Sequence, residues 1–491
     1  MAQKIFDLKK EGCKTTHNWC NTTAGSPVIK FQYRHSYKAG DWIVVVKTDA
    51  KRGEESFGVF PELAYSSFEE MMSDTSQPEN TFCRIVPTGD NYKRYNNTWN
   101  KIGVETVNGG GYVAEQNYYL AKAIPISLYA QIIRIDGQYA YLDREVSITV
   151  KRAEVFFDNA KILLEKFRTV QFENVTIKWT SGRYCLGEAV YLENYNGLTF
   201  KGNGIDKTVL FSPNGVPNIN LTFWNCSNCN LSDFSIEGNI RHEGFGMTWW
   251  SDVRAAKTVY EQYDRDPSFF YARGLTFMFC NNIQVKNYKA IDVLSTMLVE
   301  KSNEVYGTNC HAVLTEGTMG YEQWQFQQAT SKGGGGTDCT ITSPTLTGGF
   351  ESFGSVGTKW VRMTCLNAVS ALNDAGGVLV DHPVYKISKG SMPKNKWFPI
   401  GASVLSNNQN AGNTNIKLMN TVVEPTIIVE GYIDEMKNGI DGFNTESKKF
   451  EVIGGIYEAP EIVGRWGMAA RVPDGVVKGL KVKRKKELAV L

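Results

Sequence analysis

Residues 228–238 read NCNLSDFSIEG, and residues 281–287 read NNIQVKN. Both place apolar side chains at alternate positions behind an Asn, the pattern of a strand with one buried face. The phrase returns as ENVTIKW (173–179), NGLTFKG (196–202), NEVYGTN (303–309), DCTITSP (338–344), TKWVRMT (358–364), TNIKLMN (414–420) and KKFEVIG (448–454). A short strand that recurs many times and cannot bury its face alone marks a solenoid. One inward residue per phrase gives the series Ile177, Phe200, Leu231, Val285, Val305, Ile341, Met363, Leu418 and Val452. Its short steps of 20 to 23 residues suit a coil of three short strands plus turns. The longer steps hold either one coil with an insertion or two coils. Cys226 to Cys280 and Leu231 to Val285 share an offset of 54, which supports the alignment. The expected fold is all-β: a right-handed parallel β-helix over 98–465, with a small N-terminal module over 1–97, loop insertions, and a C-terminal cap or tail over 466–491.

The Asn residues beside these strands have a physical reason. A coil corner needs a residue that tolerates left-handed backbone, which Asn does at little cost. Stacked coils also let like side chains bond to one another along the axis. Cys310, Cys339 and Cys365 are expected to stack inside the coil, a structural role.

In the N-terminal module, Trp42 to Val46 and Thr81 to Val86 read as strands and Glu62 to Met72 as a short helix. The chain has 491 residues, 53 basic and 51 acidic, for a net charge of +2. That balance gives no sign of a nucleic-acid or membrane-surface partner. The one basic run, Lys478 to Lys486, reads as a solvated tail. The N-terminus has no apolar leader pattern, and no stretch reaches the apolar length of a membrane span. The ten Cys are scattered rather than framed as disulfides, which fits folding in a reducing cytoplasm. Cys226-x-x-Cys229 has no second pair at zinc-site spacing.

The segment TVNGGGYVAEQNYYL (106–120), together with the repeated strands, resembles the pectate-lyase-like superfamily of β-helices. There a GG-x-V-x-x-x-x-G-x-Y phrase opens the helix. Gly110, Gly111 and Val113 match it, and the pair Tyr118 and Tyr119 stands just short of its Tyr, with Asn117 rather than Gly before it. The resemblance covers about 95–465 and speaks for fold more than function, since the fold hosts lyases, hydrolases and non-catalytic spikes. The separate N-terminal module, the missing leader and the insertions resemble bacteriophage tailspikes and capsular depolymerases. That resemblance implies a homotrimer on the virion tail, joined to other tail proteins through residues 1–97. It implies binding, and often cleavage, of a bacterial surface polysaccharide.

Adjacent coils of a β-helix lie about 4.8 Å apart. Retaining glycosidases place two carboxyls about 5 Å apart, and inverting ones about 6.5–9.5 Å. Catalytic acids are therefore expected one or two rungs apart, near insertions, which the sequence places at 240–272, 316–336 and 373–412. Glu237, Asp292 and Glu316 border these insertions and are the candidate catalytic acids. Glu237 follows its inward residue by six positions and Asp292 by seven. That difference of one turns a side chain to the other face of an ideal strand. Trp249, Trp250 and Trp324 are candidate stacking platforms for sugar rings. Arg241, His242, Glu322 and Asp338 complete the candidate binding set. His311 is a candidate lyase base, although its place inside a strand phrase points to an interior or corner role. No acidic triad suggests a Ca²⁺ site, and no metal or cofactor is expected.

The leading expectation is a tailspike-like protein that binds and cleaves capsule or O-antigen by carboxylate acid–base hydrolysis. Two alternatives stay open. One is a non-catalytic virion structural protein or receptor-binding spike. The other is a bacterial surface polysaccharide lyase or hydrolase.

Overall fold

A computed structural model describes residues 4–46, 63–65, 68–76, 82–85, 90–95, 97–101, 127–146, 149–170, 174–212, 221–238, 273–293, 295–315, 324–373 and 375–387, and short strands between 404 and 484. The main body is a right-handed parallel β-helix, the hand that twisted strands of L-residues favour for parallel crossovers.

Each full coil contributes to three parallel sheets, here A, B and C. Sheet A carries one continuous column of aligned residues: Phe6, Ile177, Phe200, Leu231, Val285, Gly307, Gly336, Trp360, Val380, Leu418, Val452 and Val477. The first four inward residues read from the sequence are in register here, and so are Leu418 and Val452. Leu231 pairs with Val285 across the 54-residue step, which is therefore one coil with an excursion. Val305 pairs with Ile283, two places early. Ile341 belongs to sheet B, between Ala312 and Cys365. A slip of two residues preserves the alternation, and all three sheets share it, so neither difference shows in the periodicity.

The corners obey the expected chemistry. On one corner between sheets A and B stand Asp233, Asn287, Asn309, Asp338, Arg362 and His382, with φ of 65°, 51°, 52°, 56°, 51° and 51°. Asn287 donates its amide to Asp233 at 2.9 Å, and Asn309 donates to Asn287 at 2.9 Å. A second ladder runs from Asn196 through Asn228 to Asn282, each link 2.8 Å. Inside, Cys310 and Cys339 are buried neighbours next to that first corner, while Cys365 is buried in the adjoining column of sheet B. The expected stack of three is thus a pair plus one. The interior also has a row of hydroxyls: Ser302, Ser331 and Ser355 accept backbone N–H groups of Cys280, Ser302 and Ser331 at 2.9, 3.1 and 3.0 Å.

The strand pairings draw domain limits that differ from those expected. Residues 4–7 pair with Val175–Lys178 and form the first rung of sheet A. A closed six-stranded barrel joins Tyr139–Val146, Ser26–Phe31, His17–Asn21, Ala153–Phe157, Trp42–Val46 and Ser127–Asp136. A four-stranded sheet from 63 to 101 is inserted between two of its strands. The barrel thus reaches past residue 98, because its strands pair across about a hundred residues of sequence. At the other end, the strands at 470–471, 476–478 and 481–484 still belong to the helix, so the coils continue past 465. The expected strand at 42–46 is present, the one at 81–86 spans Phe82–Ile85, and the expected helix is shorter, Phe68–Ser73. The Gly-rich segment 106–120 lies outside the described residues. Helix Ala160–Phe167 buries Ala160, Leu163 and Phe167 in the core of the first coils, and Phe167 meets Phe6 edge to face at 5.1 Å. It closes this end of the apolar core, as a solenoid requires.

Asp158 joins the barrel to the first coil. It is 1% exposed. Its carboxylate accepts from Gly187 N–H at 2.6 Å, Ala160 N–H at 3.0 Å and Tyr129 O–H at 2.5 Å. Glu188 sits beside the same Tyr129 and is ion-paired to Lys161 at 2.8 Å. Burial pushes the Asp158 carboxyl up to about 6, against these hydrogen bonds, which hold it down; the Glu188 charge adds to the rise. A carboxyl raised on folding favours the folded state most when protonated. That contribution is full below the unfolded value near 3.8 and is lost as pH rises through about 6. Asp158→Asn, a mimic of the neutral form, is therefore expected to flatten the melting temperature between about pH 4 and 6. The wild type should gain on the order of 2–3 kcal/mol from this group on acidification. Identical pH profiles for the two proteins would refute the assignment.

Candidate functional site

The excursions share one edge of the prism. The chain leaves sheet B at 238, 315 and 387 and re-enters in sheet C at 275, 324 and 404. Their extents differ from those expected. The second ends before Trp324, because 324–329 and 335–337 are strands, and the third begins only after Ile387, because 378–381 and 384–387 are strands. All three depart from the B–C corner, directly beside the outer face of sheet C.

That face is built by strand parity. Met297 and Val299 point inward in MLVE, so Leu298 and Glu300 point outward. The outward column of sheet C reads Tyr191, Thr222, Thr276, Leu298, Gln327, Glu351 and Ala371. The next column reads Glu193, Trp224, Met278, Glu300, Ala329 and Phe353. An outer wall is normally wet, yet Glu300 is 1% and Glu351 4% exposed. Buried carboxylates need partners, and both have them on the coil between. Thr330 donates its hydroxyl to Glu300 at 2.7 Å, and Gln327 donates its amide to Glu351 at 2.6 Å. Thr296 donates to Gln325 at 2.9 Å beside them. The two acids stand two rungs apart and lean toward one coil from opposite sides. Their contacts on that coil are three residues apart, about 10 Å at strand rise. This is near the inverting separation and far from the retaining one of about 5 Å. The buried hydroxyls of Thr222 and Thr276 have no hydrogen-bond partner among the described residues.

The sequence candidates fall elsewhere. Glu237 ends a sheet B strand at the B–C corner and is ion-paired to Arg183 at 2.7 Å. Its register partner is Ile291, so Asp292 lies one place further on, in the corner itself with φ 49°. Both Asp292 oxygens accept from Thr315, from N–H at 2.7 Å and from O–H at 2.6 Å. Glu237 and Asp292 thus border the excursions on consecutive coils, each held by a structural partner. Trp324 shares the inward parity of Phe326 and is 3% exposed. Its indole belongs to the wall and offers no platform to solvent. Asp338 lies on the A–B corner, away from the excursions. It forms a bidentate pair with Arg362 at 2.5 and 2.7 Å, and that guanidinium holds its carboxyl below the usual range. His311 is on the outer face of sheet B, not inside. It meets Thr340 at 2.8 Å, and desolvation, with Lys289 nearby, pushes its pKa down. Glu316, Trp249, Trp250, Arg241, His242 and Glu322 lie outside the described residues. Among the described residues no three His, Cys, Asp or Glu side chains are grouped to hold a metal.

Glu300 and Glu351 were missed because they do not border an insertion in sequence. The signal was an acid at the outward parity of MLVE and GGFESF, strands with a buried opposite face.

No protein-family model matches the chain, and no curated protein matches it. Solved structures do. The catalytic domain of a GH87 α-1,3-glucanase in complex with nigerose is similar at 11% identity and TM-score 0.36, over 96% of this chain and 88% of that one. The A-module of a mannuronan C-5 epimerase from Azotobacter vinelandii is similar at 10% identity and TM-score 0.35, over 63% of this chain and 90% of that one. The tailspike protein gp49 of Pseudomonas phage LKA1 is similar at 10% identity and TM-score 0.24, over 90% of this chain and 63% of that one. Two of these are named as carbohydrate-acting enzymes and one as a phage tailspike. At such low identity and score, activity has to be read from the chain's own residues.

Proposed function

We propose that this chain binds and cleaves a bacterial surface polysaccharide, capsule or O-antigen, by carboxylate acid–base hydrolysis, as the spike of a phage tail. The observation that supports this reading is the pair Glu300 and Glu351. Both are buried on the outer face of sheet C, both are turned toward one coil, and that face adjoins the corner from which the long excursions depart. An inverting hydrolase needs one carboxyl to protonate the leaving oxygen and another to activate water across the ring. Two acids whose contacts lie about 10 Å apart along the coil between them, in a desolvated wall, suit that division of labour. Under this reading Glu237 and Asp292 stand at the corner beside the acidic wall. The spike works as a homotrimer, and the N-terminal barrel faces other tail proteins.

The test is incubation with a panel of capsular and O-antigen polysaccharides. New reducing ends without ultraviolet absorbance from an unsaturated uronate are expected. Products that carry such absorbance would replace hydrolysis with β-elimination. Binding with no new ends would leave a non-catalytic receptor-binding spike, the reading favoured by the structural partners of Glu237 and Asp292.

A further inference from the structure

The corner between sheets C and A holds an exposed aromatic residue in left-handed backbone. Its column reads Asn194, Asn225, Phe279, Lys301, Thr330 and Gly354, with φ of 62°, 51°, 56°, 46°, 46° and 56°. Left-handed backbone is ordinary for Asn and Gly but costs other L-residues about 1–2 kcal/mol. In a bulky aromatic it marks strain, and strain held in a fold points to a use. Phe279 is 39% exposed. Among the described residues it is the one aromatic side chain of the β-helix left so open.

The neighbours of Phe279 hold its ring at the surface: Trp224 is buried, 9% exposed, and backs the open Phe279 side chain. Its ring meets Trp224 edge to face, with centroids 5.0 Å apart and planes at 61°. The Lys301 ammonium lies 5.6 Å from the Phe279 centroid. Asn225, one rung below, donates its amide to Asn194 at 2.7 Å. Trp224 belongs to the outward column that continues through Met278 to Glu300. The aromatic pair therefore borders the acidic wall on the side opposite the excursions.

We propose that Phe279, buttressed by Trp224, forms a stacking subsite for one pyranose ring of the glycan. Lys301 and Asn225 stand at its edge for the ring substituents, and the glycosidic chain runs from this subsite across sheet C toward Glu300 and Glu351. This rests on the polysaccharide reading above. An aromatic face covers the apolar face of a sugar at low entropic cost. A ring held one rung from Glu300 is in reach of the acids, since a rung is about 4.8 Å.

The strain supplies the test. Phe279→Asn installs the residue type that the same column carries at positions 194 and 225. Its melting temperature is expected to equal or exceed that of the wild type. On a capsular or O-antigen polysaccharide that the wild type cleaves, its KM is expected to rise about tenfold, with a smaller change in kcat, the scale of one lost stacking contact. Phe279→Tyr keeps the face and is expected to keep KM. An unchanged KM for Phe279→Asn, or an equal loss for Phe279→Tyr, would overturn the subsite and leave the hydrolase reading standing. A wild type that binds no polysaccharide of the panel would overturn that reading and the subsite with it.

Discussion

Glu300→Gln and Glu351→Gln are each expected to lower the release of reducing ends by about 100-fold or more, with the fold intact. A positioned general acid or base contributes about 10²–10⁴ in rate. The fold should survive because Gln keeps the shape and an acceptor. The Thr330 hydroxyl at 2.7 Å and the Gln327 amide at 2.6 Å can still donate to a side-chain carbonyl oxygen. Circular dichroism and melting temperature check this, so that a loss of activity is not read from an unfolded protein. The two variants should also differ in kind. Whichever carboxyl acts as the base is rescued by a small external anion such as azide, which takes the place of the activated water. The acid is not rescued in that way, but its loss matters less for substrates with a good leaving group. Glu237→Gln and Asp292→Asn test the acids that border the excursions in sequence. They are expected to cost less, because Arg183 and Thr315 already occupy those carboxylates. Full activity in both Glu300→Gln and Glu351→Gln would remove the hydrolytic site from sheet C.

Gly335→Ala is expected to abolish folding of the central coils. The segment Gly333–Gly336 crosses from a corner into sheet A, and Gly335 has φ 128°. A Cβ there would lie 1.9 Å from the backbone oxygen of Lys359 on the next coil. That oxygen is part of the backbone that stacks on Gly335, so it cannot move aside without breaking the rung. The cost combines forbidden backbone with a clash against a fixed atom, which places it beyond about 4–5 kcal/mol. Insoluble expression, or protease sensitivity of the helix, is the expected readout. Gly25→Ala is the control. Its φ is 72° and nothing lies within 4 Å of the added carbon, so it should cost only about 1–2 kcal/mol. Equal effects at the two positions would show that backbone conformation alone, and not the close stacking of coils, sets the penalty.

The sequence by itself determined the β-helix, because its signals are local. Alternation of apolar residues is a property of one strand, and tolerance of left-handed backbone is a property of one residue. Asn228, Asn282, Asn287 and Asn309 therefore announce corners before any coil is stacked, and Leu231 and Val285 announce an inward column. Only the tertiary structure decided which strands make the barrel, since His17–Asn21 and Ala153–Phe157 pair across more than a hundred residues. The identity of the site was decided there too. Nothing in the neighbourhood of Glu300 or Glu351 tells that sheet C follows the excursions, or that both acids turn toward the coil between them. The same holds for Glu237 and Asp292, whose partners Arg183 and Thr315 stand on other coils. Parity tells whether a side chain points in or out. Which sheet, which corner and which neighbour it meets depends on the register between coils, and that register is set by the packing of the whole solenoid.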